Sequence, residues 1–203
     1  MSGAAAGASA LVLASTSPRR RAILEQLGIE FEILPPGYVE AALPGCEPEE
    51  LVARHARGKA ESVADAAGDR VVLGLDTTVA LDGAGGTEVL GKPRTVEEAG
   101  AMLRMLSGRV HRVLSGLCVL DPSLRTATVE TTRVTFRQLS DAHLSWYLAS
   151  GEWQGLAGSY AIQGRGATLV ERVDGDYFNV VGLPIAALVD ILEEAYPGRI
   201  LFA

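Results

Sequence analysis

LASTSPRRR, residues 13–21, joins the end of a short apolar run to a turn and then to three arginines, in a chain whose formal charge is -7. The apolar run, ALVLA at 10–14, reads as a buried strand. Ser17 followed by Pro18 reads as a helix N-cap with proline at the first helical position, and the helix it opens runs to Leu27 with Gly28 as its stop. A strand that turns at once into a helix leaves unbonded N–H groups and the positive end of the helix dipole at the turn, which makes an anion site. Ser15, Ser17, Arg19 and Arg20 add hydroxyl donors and planar guanidinium forks that suit a phosphate. The competing reading is a capped helix with a solvated basic first turn, but three cations there oppose the dipole. One of Arg19, Arg20 and Arg21 is expected at the surface in either case.

Outward from that turn, the chain alternates strand and helix patterns. FEIL (31–34) reads as a second strand broken by Pro35-Pro36-Gly37. From about Glu47 to Ala67 the apolar residues keep a helical period, with His55 and Lys59 on the apolar stripe. VVLGL (71–75) is a continuous apolar strand, and TVALDGAGGTEVLG (78–91) reads as a hairpin with a glycine-rich tip. A helix ending at Gly108, two long strands joined near Pro122, a helix at 140–151, a glycine-rich segment at 151–166 that precedes ATLVERV (167–173), and a helix from about Pro184 to Glu194 follow. No internal repeat or linker divides the chain. The pattern predicts one mixed α/β fold with a sheet core, residues 1–9 being a flexible leader and 10–203 a single domain.

The bulk composition narrows the partners. A 203-residue chain with 48% hydrophobic and 21% charged residues can bury a sizeable core. With 25 Asp+Glu against 18 Lys+Arg, it lacks the basic balance that nucleic acids and membrane surfaces reward, so its basic residues must act locally. Cys46 and Cys118 lie far apart without paired-ligand spacing, which points to a reducing cytoplasm rather than a disulfide framework or zinc site. The N-terminus has no basic n-region and only a short apolar core, and no stretch approaches a membrane span.

Four further positions carry chemistry. Lys59 on an apolar stripe must either extend to water or meet an anion near the core. Asp76 follows five apolar residues; a carboxylate where a buried strand ends needs a cation, a metal or several donors, or else ties down its own turn. Lys92, between Gly91 and Pro93, is either a plain surface lysine, the commoner case for a lone Gly-Lys-Pro turn, or a rigidly presented ammonium; it is not part of a P-loop, since no helix opens at it. Gln163 suits an amide making paired hydrogen bonds, in structure or in recognition. Together these side chains fit a polyphosphate held with a divalent cation, Mg²⁺ being bound by one or two carboxylates plus substrate phosphates.

In order along the chain, LASTSPRRRAIL, ARGKAESVA, VLGLDTTV, LGKP, MLRMLSGRVH, VTF, AGSYAIQGRGA and VVGLPI resemble the Maf family of nucleoside triphosphate pyrophosphatases. The resemblance covers about 190 residues and implies an inosine-triphosphatase-like fold, a mixed sheet flanked by helices with a nucleotide cleft between two lobes. It implies that Ser15, Arg19 and Arg20 belong to a phosphate-binding loop, Lys59 and Lys92 to a polyphosphate clamp, and Asp76 with Thr77 to a catalytic turn. Asp76 would also take the divalent metal, Mg or Mn. Gln163 matches the family's substrate-pocket glutamine and Glu40 an acidic position. The Arg pair, Asp-Thr and Ile-Gln-Gly resemble the branch acting on dTTP and UTP, modified pyrimidine triphosphates among its substrates. Leu75, Val39 and Leu156 depart from the family's usual alanine, aspartate and lysine. Two alternatives stay open: a nucleotide-binding regulator of cell division with little catalysis, and a pyrophosphatase preferring 7-methyl-GTP or ITP. A homodimer is implied by analogy with the family.

Overall fold

The computed structural model describes residues 10–41, 43 and 45–200; the leader expected at 1–9 lies outside them. The elements in order are β1 (Leu11–Ala14), α1 (Pro18–Gln26), β2 (Phe31–Ile33), α2 (Pro48–Glu61), α3 (Ala64–Ala67), β3 (Val71–Gly83), β4 (Gly86–Leu90), α4 (Val96–Leu106), β5 (Val110–Leu120), β6 (Arg125–Phe136), α5 (Asp141–Ala149), β7 (Val170–Asp174), α6 (Tyr177–Val181) and α7 (Ile185–Ala195). Two short 3-10 turns, Ala157–Ser159 and Arg165–Leu169, lie between α5 and β7. The seven strands form one sheet of order β2-β1-β3-β5-β6-β7, with β4 also on β3. β1 pairs in parallel with β2 and β3, and the other pairings are antiparallel. This is the mixed α/β class expected from the sequence.

The central strand decides where the cleft lies. One edge of β3 is paired with β5 from Val72 to Ala80. The other edge is shared: β1 covers Val71–Gly74, and β4 takes over at Val79. Between them, residues 75–78 have a bare edge whose backbone groups need partners from elsewhere. The expectation that the apolar run ends at Asp76 is thereby corrected. VVLGL and the first arm of the hairpin are one strand of 13 residues, and Asp76 sits in its interior. Periodicity misses this because a carboxylate in the middle of a buried strand looks like an end.

Helices cover both faces. On one, α2 crosses β3 and β5, packing Ala56 and Ala60 on Val12, Ala14, Val72 and Cys118, and Val52 on Ala80 and Leu114. On the other, Ile23 and Leu24 of α1, Leu103 and Leu106 of α4, Leu144 and Tyr147 of α5, and Leu188 and Leu192 of α7 form the main core with Leu73, Leu75, Leu117 and Phe136. The close approach of α2 depends on two glycines. A Cβ on Gly74 would stand 2.1 Å from the Ala56 carbonyl oxygen, and one on Gly116 would stand 2.2 Å from that of Val52. Neither backbone oxygen can swing away, so the sheet has no side chain where the helix passes.

Two local expectations are revised. The periodic stretch 47–67 breaks at Ser62–Val63, so α2 and α3 are separate. Ser17 does occupy the N-cap of α1, yet its side chain makes no cap bond, and its N–H donates to Ser15 Oγ instead. Within ATLVERV, residues 167–169 belong to a 3-10 turn, and β7 starts at Val170. α6 was not anticipated; five residues are too few to show a helical period, and its start is set by Asp176, which accepts from Phe178 N at 2.7 Å. Among the described residues no helix is long and apolar enough to cross a membrane.

His111, 1% exposed, is wedged edge-on between Phe136 and Tyr160, with Nε2 2.9 Å from the Tyr160 hydroxyl. Burial pushes its pKa down to about 3. In the unfolded chain the ring protonates near its ordinary 6.5, so as pH falls from there toward 3 the unfolded state binds a proton that the folded state refuses. Stability contributed by the neutral ring is complete above that window and declines by about 1.4 kcal/mol per pH unit within it. His111→Phe is therefore expected to make stability less steep between about pH 6.5 and pH 4, as read by urea unfolding; an unchanged slope would refute the assignment. Gly116→Ala is expected to cost about 1–3 kcal/mol by overpacking against α2, a loss measurable as a lower urea midpoint with an unchanged slope.

Candidate functional site

The bare stretch of β3 opens into a cleft of about 420 Å³. All nine residues singled out in the sequence line it: Ser15, Arg19, Arg20, Glu40, Lys59, Asp76, Thr77, Lys92 and Gln163. They arrive from six segments. The β1–α1 turn, continuing into the first residues of α1, brings Ser15, Arg19 and Arg20; the loop before α2 brings Glu40; and α2 brings Lys59. β3 supplies Asp76 and Thr77, the β4–α4 loop Lys92, and the turn ahead of Arg165–Leu169 Gln163.

Lys59 occupies the floor. Its Nζ lies 2.5 Å from Asp76 Oδ1 and 2.6 Å from Glu40 Oε1, and it donates to Leu75 O at 3.3 Å. These three partners account for all three ammonium protons. Of the two readings open for this lysine, the structure shows the one in which it meets anions: it is 7% exposed. Burial alone would raise the Glu40 pKa, but the hydrogen bond and charge of Lys59, with the charges of Lys92 and His55 behind it, hold the carboxyl below its ordinary range. Two residues before Glu40, Tyr38 anchors the chain on α2: its hydroxyl lies 3.0 Å from His55 Nδ1 and its ring packs where Gly58 has no side chain.

The two cleft arginines divide. Arg20 is buried and directs its guanidinium into the protein: Nε donates to Gly182 O at 2.9 Å, Nη1 to Ser15 Oγ at 3.1 Å and Leu75 O at 3.0 Å, and Nη2 to Thr77 Oγ1 at 3.1 Å. Four of its five donors thus hold the bare edge of β3 to the β1–α1 turn and to the end of α6. Desolvation pushes its pKa down to about 10, with the Asp76 charge opposing the shift. Arg19 makes no hydrogen bond or ion pair among the described residues, and burial also lowers its pKa. Arg21 is the surface member of the trio, ion-paired with Glu25 at 2.7 Å.

Gln163 is held by contacts that sequence reasoning missed. The Glu152 carboxylate accepts from Arg165 N at 2.8 Å and Gly166 N at 2.9 Å, so one side chain clasps the turn that follows the glutamine. On the other side Ala161 N donates to the Tyr147 hydroxyl at 3.3 Å. The only prior signal was a carboxylate within a glycine-rich segment. The loop of Lys92 is fastened to the same wall by Gly158 N donating to Gly91 O at 3.2 Å.

The unusual residues resolve by position. Leu75 is buried in the main core, and only its carbonyl faces Arg20 and Lys59, so the identity of its side chain is not exposed to the cleft. Val39 is 82% exposed and does not line the cleft. Leu156 is 5% exposed and forms part of the cleft wall.

Two carboxylates, Asp76 and Glu40, converge on one point. Hard oxygen donors of this kind suit Mg²⁺ or Mn²⁺ when phosphates complete the shell. Among the described residues no group of three or more His, Cys, Asp or Glu could hold a metal ion. The donor set therefore fits a cation shared with a phosphorylated substrate rather than one caged by protein.

A model of the Maf-like protein family matches residues 10–195. A Myxococcus xanthus protein named dTTP/UTP pyrophosphatase is 50% identical over 185 residues, 91% of this chain and 92% of its own. Proteins of the same name from Pelotomaculum thermopropionicum and Aquifex aeolicus are 45% and 44% identical over 186 and 184 residues, in each case 91% of this chain and 95% and 94% of theirs. A family match that runs from the first strand to the last helix, and relatives aligned over nearly their whole length, show that the chain belongs to the Maf family.

Proposed function

We propose that the protein is a nucleoside triphosphate pyrophosphatase that hydrolyses dTTP and UTP between the α and β phosphates, releasing the monophosphate and pyrophosphate. The observation that carries this reading is the gathering of four cations, Arg19, Arg20, Lys59 and Lys92, around two carboxylates, Asp76 and Glu40, in one cleft. Its volume of about 420 Å³ suits a small ligand. The pyrimidine preference is supported by the name that the relatives carry.

Arg19 and Lys92 make no hydrogen bond or ion pair within the described protein, so they are the cations placed to meet phosphate oxygens and to offset charge on the leaving pyrophosphate. The N-terminus of α1 adds its dipole at Ser15. Lys59 bonds both carboxylates and turns them toward one point. Asp76 and Glu40 would hold a divalent cation, which supplies charge neutralisation to the phosphates. Asp76 also orients the attacking water. Gln163 presents a donor and an acceptor, the pattern of the imide edge of thymine or uracil. Residues 10–203 act as a single domain in this reading, in the cytoplasm, where the free Cys46 and Cys118 stay reduced, with a homodimer as the assembly.

The test is pyrophosphate release from dTTP, UTP, CTP, 7-methyl-GTP and ITP with Mg²⁺ or Mn²⁺. Asp76→Asn is expected to lower turnover by about a hundred-fold or more while leaving the unfolding transition cooperative; wild-type rates in that variant would remove Asp76 from the chemistry. Gln163→Ala is expected to erode the pyrimidine preference by about 1–3 kcal/mol, on the scale of base-edge recognition. An unchanged ranking of the five triphosphates would exclude it from base selection. If wild-type protein turns over none of them yet binds nucleotide, the regulator reading replaces this one.

A further inference from the structure

The hydroxyl of Thr77 belongs to a chain of hydrogen bonds whose direction can be derived. At the C-terminus of α6 both Gly182 N and Leu183 N donate to Phe178 O, at 3.0 Å each. Neither is therefore left for the Asn179 carbonyl. Asn179 is fully buried, and its carbonyl oxygen lies 3.2 Å from Ser115 Oγ, which is also fully buried. A buried carbonyl needs a donor, and Ser115 is the one in place. A serine has a single O–H, so Ser115 donates to Asn179 O and has only lone pairs for its other neighbour.

That neighbour is Thr77, directly opposite Ser115 in the β3–β5 register, with the two oxygens 2.8 Å apart. Thr77 must donate to Ser115. It also accepts from Arg20 Nη2 at 3.1 Å. The sequence runs Arg20 to Thr77 to Ser115 to the Asn179 carbonyl, with every proton pointing away from the cleft. What remains on Thr77 Oγ1 is one lone pair.

We infer that Ser115 is a positioning residue that fixes Thr77 as a pure hydrogen-bond acceptor toward the cleft, so that the group Thr77 meets there is an O–H or N–H donor and not a phosphate oxygen. Ionised phosphate oxygens only accept, and two acceptors facing each other repel. Two donors of a bound triphosphate complex have this chemistry: the attacking water beside Asp76, and the ring N3–H of thymine or uracil. The inference rests on the reading of the cleft as a nucleotide site and adds the polarity of one of its contacts.

The experiment is a double-mutant cycle of Ser115→Ala and Thr77→Val in the full-length protein, with kcat and KM measured for UTP, N3-methyl-UTP and ITP and unfolding midpoints recorded for each variant. Without Ser115 the Thr77 proton is free to turn into the cleft, so Ser115→Ala is expected to lower kcat/KM by roughly three- to ten-fold, the size of one neutral hydrogen bond. In the Thr77→Val background it is expected to lower kcat/KM no further. A merely structural serine would instead cost the same in both backgrounds, and that additivity would overturn the proposal, as would wild-type kinetics in Ser115→Ala. A non-additive loss in kcat equal for all three nucleotides assigns the donor to water. A non-additive loss confined to UTP assigns it to N3–H. Ser115→Cys, which keeps the volume and a weak donor, carries the same cycle if the alanine variant does not fold. If the wild-type protein hydrolyses none of the nucleotides, the proposed activity fails by itself, and the cycle is read on UTP affinity, where additive losses still overturn the polarity.

Discussion

A charged pair placed inside a sheet, Lys59 with Asp76, is the constraint around which the site is arranged. Two ions taken out of water lose several kcal/mol of solvation each, and that loss is offset only if every proton and lone pair finds a partner. The ammonium achieves this with Asp76, Glu40 and the Leu75 carbonyl. Such geometry needs α2 close enough to the sheet for a lysine to reach across, which is why glycines stand at 74 and 116, where Cβ atoms would strike the helix backbone. It also needs a strand edge left unpaired at 75–78, so that a backbone oxygen is free to join the pair.

The unpaired edge is managed rather than simply exposed. Bare strand edges are liabilities because they offer free backbone groups to any passing chain. Here Arg20 and Lys59 both bond Leu75 O, and Arg20 extends to Ser15, Thr77 and Gly182. One buried guanidinium therefore sets the spacing between the strand, the first helix turn and the end of α6. In the sequence Arg19 and Arg20 look equivalent; in the fold one is part of the frame and the side chain of the other makes no hydrogen bond or ion pair among the described residues. Their difference comes from the helix rotation of about 100° between successive residues, which turns one toward the sheet and the other along the cleft.

Much of this was legible in the chain itself. The strand, turn and proline-led helix at the start, the hairpin, and the long β5–β6 pair follow from local pattern. The residues that converge on the cleft were legible as oddities: a lysine on an apolar stripe and a carboxylate inside an apolar run. Hidden were the relations that only long-range contact creates. Asp76 reads as closing a strand because period-two reasoning has no way to represent an edge shared by two different partners. Glu152 and Ser115 carry no local mark, since each acts on backbone or side chains that lie at least 13 residues away. Ser17 looks like a cap because the position and residue type are right, but its side chain makes no cap bond, and the bond at this residue is its backbone N–H donating to Ser15 Oγ.

Arg20 bonds only neutral oxygens and forms no ion pair among the described residues, so its charge is offset only through space by Asp76 and Glu40, beside a cleft that already holds more cations than carboxylates. The chain as a whole carries -7. An incoming polyanion therefore meets two fields of opposite sign: repulsion from the acidic exterior, then attraction once it is inside the cleft, where low-dielectric walls strengthen the local charges. At physiological salt, screening acts over about 8 Å, which weakens the outer repulsion between exposed charges far more than the buried inner attraction. The molecule thus presents a short-range electrostatic well behind a salt-sensitive rim, and ionic strength acts on how fast a triphosphate arrives more than on how firmly it is held.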